Sequence, residues 1–181
     1  PKNVLSLDDI FQAITRTGQG FYDNYGRACD FIPSAPCDIS IYEYWGKKGH
    51  GAEDIPCPRG TEIYAMASGK VVEISNDIGS GLGVVLWHKE LKLKSGYWHF
   101  LENKVKLNDE VVAGQLLGLA DSTGMSYGNH VHVFVKETDQ LGNTINKDNG
   151  FGGAIPFRQY LSWFDSIMDE TLVKARQVVE G

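Results

Sequence analysis

The runs Lys70-Val-Val-Glu-Ile-Ser75, Gly83-Val-Val-Leu-Trp-His88 and Ser95-Gly-Tyr-Trp-His-Phe-Leu101 decide the fold class of this chain. Each is short and rich in β-branched and aromatic residues, and Asp77-Ile-Gly-Ser-Gly81 separates the first from the second. Such side chains fit a pleated, half-buried surface, while Gly, Asp, Ser and Asn supply the backbone that tight turns require. Working outward, similar runs occur at 62–66, 115–119 and 130–135, with Ser68-Gly69, Asn108-Asp109 and Ser122-Thr-Gly124 among the turns between runs. Strands at such short intervals leave no room for crossover helices. The spacing therefore predicts a mainly β protein with an antiparallel, sandwich- or barrel-like core.

Outside that core the texture changes. Ser6-Leu-Asp-Asp9 reads as a helix N-cap with an acidic first turn ahead of Ile10, Phe11 and Ile14, and Gly18 and Gly20 stop the helix. Residues 21–45 are aromatic and irregular, with Pro33 and Pro36, and read as an ordered wrap over the core. Residues 138–154 are polar and glycine-rich, which suits a long loop. Pro156 then fits a first helical position, and Phe157, Tyr160, Leu161, Phe164, Ile167, Met168 and Leu172 follow at spacings of three and four. A helix to about Val179, packed on the sheet, is expected. The organisation is thus an amino-terminal helix and wrap (1–45), a core (46–137), and a loop with a carboxy-terminal helix (138–181).

At 181 residues the chain allows one substantial domain with extensions. Seventeen Lys and Arg against 23 Asp and Glu give a net charge of −6, which argues against a surface built to grip nucleic acid or anionic lipid. No uncharged apolar run approaches the roughly 18–20 residues needed to span a bilayer. The chain begins at Pro1 without a signal-like segment, as expected of a processed protein or an excised part of a larger one. Cysteines occur at 29, 37 and 57, and the odd count leaves at least one unpaired. Cys29 and Cys37 are close enough for a local bridge, and two reduced thiols are equally compatible with the spacing.

The chemistry lies in the histidines, of which there are five. His50-Gly-Ala-Glu-Asp54 sets an imidazole and a carboxylate four residues apart before the first strands. His130-Val-His132 lies in a strand-like run, where residues two apart share a face. His99 closes Tyr97-Trp-His99, and alternation would turn Tyr97 the same way as His99. A catalytic zinc takes three protein ligands and keeps one position open. Two neutral imidazoles and one carboxylate leave the ion net positive, so that it can acidify a coordinated water. The spare imidazoles could then orient that water, take its proton or bond a developing oxyanion. Each element has an ordinary explanation alone, since an HxH arises by chance and a loop His–Asp pair is unremarkable. Their joint appearance uses four of the five histidines.

In this order the pieces resemble the M23 family of zinc metallopeptidases, the LytM/lysostaphin-type peptidoglycan endopeptidases. The resemblance is carried by His50–Ala65 of the sequence, Ser68-Gly69, Gly83-Val-Val-Leu-Trp-His88, Tyr97-Trp-His99-Phe, Gly114-Gln-Leu-Leu-Gly118 and Ser122-Thr-Gly124 through Asn129-His130-Val-His132, about half of the chain. It implies that His50, Asp54 and His132 ligate Zn2+ and that His99 and His130 are the catalytic pair. It implies a peptidoglycan peptide as substrate and an extracytoplasmic setting: periplasm, cell wall, secreted, or a phage virion. His88 corresponds to a strand histidine of many members and is read as structural. Tyr97 could contact substrate near the oxyanion or simply pack. Ala52 stands where a glycine is usual, Asn129-His-Val-His replaces Pro-His-Leu-His, and Phe134 replaces a common Glu. None of these changes removes a ligand or a catalytic histidine. Cys57, three residues after Asp54, would close the site as a fourth ligand, and a small buried residue is expected there instead.

Two other functions compete. A catalytically silent LytM-like module that recruits or activates other wall hydrolases would lack ligands, whereas all five positions are filled here. Gly69-Lys-Val-Val and Asp109-Glu-Val-Val-Ala-Gly-Gln-Leu-Leu resemble the half-motifs of biotinyl and lipoyl domains. Those domains need a lysine at a hairpin tip between the halves, within Met-Lys-Met or Asp-Lys-Ala, and neither tripeptide occurs. The aromatic segment before His50 is expected to wall or occlude the substrate groove.

Overall fold

Valines alternate through His130-Val-His-Val-Phe-Val135, and this alternation orients the strand around which the molecule is built. Val131, Val133 and Val135 are 4%, 5% and 1% exposed in the main core, so residues 130, 132, 134 and 136 share the opposite face. A one-residue slip would drive the histidines into the core and expel three valines, each worth about 1.5–3 kcal/mol buried. Apolar patterning thus fixes the face on which His130 and His132 appear.

The structure is a computed structural model that describes residues 19–24 and 26–157. The helices expected over residues 6–17 and beyond Phe157 lie outside the described residues. Nine strands run in the order β1 (Glu53–Pro56), β2 (Glu62–Tyr64), β3 (Gly69–Asp77), β4 (Gly81–His88), β5 (Leu93–Asn103), β6 (Glu110–Val111), β7 (Leu116–Ala120), β8 (His130–Glu137) and β9 (Ala154–Ile155). All pairings are antiparallel, in one open sheet ordered β1-β8-β5-β4-β3-β6. β7 joins β2 to the far half of β5, and β9 pairs β8. The mainly β, antiparallel expectation holds, and each of the six runs becomes a strand. β1, β6 and β9 are additional: they are short, lie at edges, and form by pairing with longer neighbours. Pro56 ends β1 at an edge, where its missing N–H costs no ladder bond.

The sheet has two unlike faces. Val71, Val84, Leu86, Phe100, Leu117 and Phe157 fill the main core on one face. On the other, Ala52, Val85 and Phe134 form a small cluster with Val72 and Trp98 against it. Glycines let that thin layer lie flat. A Cβ on Gly96 would stand 2.0 Å from the Phe134 ring, and one on Gly83 2.2 Å from the Trp98 ring.

The wrap is ordered around two short helices, α1 (Ala28–Phe31) and α2 (Ile41–Tyr44). Ser40 caps α2 in a reciprocal box: its hydroxyl accepts the Glu43 N–H, and its own N–H donates to the Glu43 carboxylate. Ala28, Ala35 and Ile41 form a second small core. Cys29 and Cys37 are joined as a disulfide across it, with Cα atoms 5.0 Å apart, and Cys57 is free.

Candidate active site

β1 and β8 place the first three residues. Asp54 is the Cα partner of His132 and Pro56 of His130, while His50 precedes β1 in a loop pinned to the wrap. Tyr22 N–H donates to the His50 carbonyl at 3.1 Å, and the His50 N–H to Asp23 at 2.7 Å. Asp54 Oδ1 lies 2.9 Å from His132 Nδ1 and 3.3 Å from His50 Nε2, and the two ring nitrogens are 3.1 Å apart. Ligand atoms of these three residues all fall within 4.8 Å of one another.

Backbone carbonyls fix the tautomers, because a carbonyl can only accept. His50 Nδ1 faces Gly20 O at 3.3 Å, His99 Nδ1 faces Thr123 O at 2.7 Å, and His130 Nδ1 faces Gly128 O at 2.8 Å. Each Nδ1 therefore carries the proton, and in the neutral ring Nε2 keeps its lone pair for the cleft. His130 Nε2 sits 3.5 Å from Asp54 Oδ1, and its ring centroid 4.6 Å from that of His99.

His99 reaches this group through an unusual backbone. Its φ of +72° is left-handed, a conformation that costs a non-glycine residue of order 1–3 kcal/mol. The alternation of β5 breaks there: Tyr97 and Phe100 both enter the core, while Trp98 and His99 both line the cleft. Asp121 N–H, donating to His99 O at 2.9 Å, and the Thr123 carbonyl hold the ring in place. Tyr97, expected beside His99, is instead 2% exposed in the core, and its hydroxyl accepts the Met66 N–H at 3.0 Å. The structure does not bring Tyr97 to the cleft.

Charge is concentrated on Asp54. Burial pushes its carboxyl up, but the three imidazoles of His130, His132 and His50 packed around it outweigh this and hold it well below the usual carboxylate range. Burial, with repulsion from His132 and His130, lowers His99 to about 4. His132 is lowered by burial; His130, despite burial, is raised because the Asp54 carboxylate beside Nε2 favours the protonated ring. The arrangement suits a dication: two imidazole nitrogens and one ionised carboxylate converge, and a tetrahedral zinc ion accepts such a set with one position open.

The site lies in a cleft of about 610 Å³. Trp98 forms part of its floor and stacks on His132 at 5.1 Å and 13°. Pattern reading missed Trp98, since alternation turns it away from His99, and the left-handed φ of His99 brings that ring round to the side Trp98 already faces as the ladder partner of His132. The wrap supplies a wall through Phe31, Tyr42 and Trp45. It is tied down where Asp54 N–H donates to Gln19 O at 2.9 Å, and where the Tyr127 hydroxyl donates to Asp30 O beneath the Phe31–Tyr127 ring contact. His88 and Cys57 stand apart. His88 is buried behind Ser68 and Ser95, and Cys57 is half-buried, its thiol pushed up by burial.

The family model for peptidase family M23 matches residues 48–147, more than half of the chain. The chain belongs to peptidase family M23. It is 33% identical over 90 residues to the glycyl-glycine endopeptidase ALE-1 of Staphylococcus capitis, covering 49% of this chain and 25% of that protein. It is 26% identical over 128 residues to the peptidoglycan DD-endopeptidase ShyA of Vibrio cholerae, covering 71% and 30%. The matched stretch thus spans a third or less of these M23 relatives. The solved catalytic domain of lysostaphin from Staphylococcus simulans shares the fold, at a TM-score of 0.57 and 23% identity over 83% of this chain and 96% of that one. No helix among the described residues is long and apolar enough to cross a membrane.

Proposed function

We propose that this M23 chain is a zinc-dependent endopeptidase that hydrolyses peptide bonds of bacterial peptidoglycan. The observation that carries the reading is the convergence of His50, Asp54 and His132 beside His99 and His130 at the base of one cleft. His50 and His132 would hold zinc through neutral nitrogens, and Asp54 would supply the single anionic ligand. When bound, the ion supplies Lewis acidity, polarising a carbonyl and bringing water to ionise near neutral pH. His99 and His130 each direct one lone pair into the cleft. They are placed to take a proton from the attacking water, pass it to the leaving amine, and hydrogen-bond the carbonyl oxygen as charge develops. The left-handed backbone at His99 is the strain such positioning carries.

The substrate class follows from the family and the relatives' names, a glycyl-glycine endopeptidase and a DD-endopeptidase. Those names describe different bonds, so the bond itself is for experiment to identify. Peptidoglycan places the enzyme outside the cytoplasm, on its own or within a larger envelope or virion protein. The test is incubation with purified peptidoglycan of several chemotypes and mass spectrometry of the released fragments. New peptide ends that vanish with a chelator and return with zinc are expected. Intact peptidoglycan in every zinc-loaded sample would overturn the reading.

A further inference from the structure

The cleft that holds the histidines is also lined by two lysines. Lys136 lies on the cleft face of β8, four residues beyond His132, and its Nζ sits 5.0 Å over the Phe134 ring. Lys47 follows α2 on the facing wall, its Nζ 5.9 Å from the Trp45 ring centroid. Both line the cleft, and among the described residues neither ammonium has a carboxylate within 4.0 Å. Lys136 is also the direct cross-strand partner of Lys94, a like-charge pairing that weakens a ladder. Burial lowers Lys136; repulsion from Lys47, Lys94 and Lys147 adds to this, and Glu73 attracts it. A chain of net charge −6 thus sets two lysines without an ion-pair partner among the described residues along one cleft.

Aromatic rings near both ammoniums, exposed Lys47 and half-buried Lys136, favour heads that lie along the groove. A strand rises about 3.3 Å per residue, so Lys136 lies about 13 Å from His132 along β8. An extended peptide running along the cleft covers that distance in about four residues. We infer that Lys47 and Lys136 form a carboxylate subsite, which selects peptide substrates bearing an acidic group about four residues from the bond that is cut. The inference rests on the peptidase reading for its substrate, and its test is kept separate from cleavage.

The probe is soluble crosslinked peptide fragments of purified peptidoglycan, with their carboxyl groups left free or converted to amides. Binding to the whole protein is measured by calorimetry, and cleavage in parallel by mass spectrometry. The wild type should bind the free form about tenfold more tightly, as expected for a charge-assisted contact in a partly solvated groove. In K47M/K136M that ratio should fall to near one. Lys136→Arg, which keeps the charge, should retain it, as should Lys106→Met on a remote turn. An equal affinity for the two forms in the wild type, a ratio unchanged in K47M/K136M, or no binding of either form overturns the inference. A clear binding preference without cleavage would support the subsite and count against the peptidase reading alone.

Discussion

Asp54 and His132 are paired residues of the β1–β8 ladder, and Asp54 Oδ1 lies 2.9 Å from His132 Nδ1. Backbone pairing sets their spacing, so two donors of the proposed zinc set are held by the sheet before any ion arrives. Asp54 is also the single anion among three imidazoles within 3.5 Å. Asp54→Asn keeps the shape and removes the charge. Zinc affinity, measured by competition with a chromogenic chelator, should fall by at least about a hundredfold, beyond the 10–100-fold typical of partners one step from the metal. Unchanged affinity would remove Asp54 from the ligand set.

His99 is proposed to move protons without holding metal. His99→Ala should leave zinc stoichiometry at the wild-type level while lowering kcat by about 10²–10⁴, the range for a positioned acid–base group. Zinc content and turnover on the same preparation separate the two roles. Parallel loss of zinc would make His99 a ligand or a support for one.

The Trp98–His132 stack depends on glycine beneath it. A Cβ at residue 83 would stand 2.2 Å from the Trp98 ring and 2.5 Å from the Tyr97 carbonyl, so the ring and β5 must both shift. Gly83→Ala should cost about 1–3 kcal/mol in chemical denaturation, as overpacking does. Displacing the stacked ring should also lower zinc affinity about tenfold. A stable protein with intact affinity would show that the stack does not orient His132.

His88 makes a pH-dependent contribution whose sign follows from its hydrogen bonds. Its Nδ1 is 2.9 Å from Ser68 O and must donate, so Nε2, 2.7 Å from Ser95 Oγ, must accept. The ring is buried, and burial lowers its pKa from the ordinary 6.5 and so favours the neutral form. Above pH 6.5 both folded and unfolded states are neutral, and stability is complete. Below it the unfolded chain takes up a proton that the folded state refuses, so stability falls by at most about 1.4 kcal/mol per pH unit for this group. His88→Asn should flatten the dependence of unfolding free energy between pH 7 and 5. An unchanged slope would show that His88 takes up its proton in the folded state.

The strands were legible because periodicity and turn residues are local, and the two imidazoles of His130-Val-His132 share a face by the arithmetic of a strand. The placement of Tyr97 was not legible. It depends on the left-handed φ of +72° at His99, which nothing in Tyr-Trp-His-Phe announces. Trp98 meets His132 as its cross-strand partner, and the break turns His99 to that same side, so one backbone angle accounts for both the misplaced tyrosine and the unforeseen tryptophan. β1, β6 and β9 carry no pattern of their own, because two to four residues at an edge take their conformation from the partner strand. The carbonyls of Gly20, Thr123 and Gly128 fix the histidine tautomers, and backbone groups leave no mark in residue identity.

The Cys29–Cys37 disulfide clamps the wall of the cleft, and its loss should act there rather than on the histidines. The bridge spans eight residues, a loop whose closure is worth about 2.5 kcal/mol in the chain-entropy account. Among the described residues the small core it crosses has Ala28, Ala35 and Ile41 buried, with Phe31, Ile32, Ile39 and Tyr42 only partly buried against them, too little to hold α1 and α2 firmly without it. Phe31 and Asp30, which meet Tyr127 across the cleft, lie within the bridged loop. Mild reduction, or C29S/C37S, should therefore speed amide exchange over residues 28–44 and leave the β4, β5 and β8 amides protected. KM should rise as the wall loosens, while kcat and zinc content stay near wild type, since Asp54, His99, His130 and His132 hang on the sheet and His50 is held by Gly20, Tyr22 and Asp23, outside the bridged loop. A fall in kcat with KM unchanged would show that the wrap acts on the chemistry itself rather than on the shape of the groove.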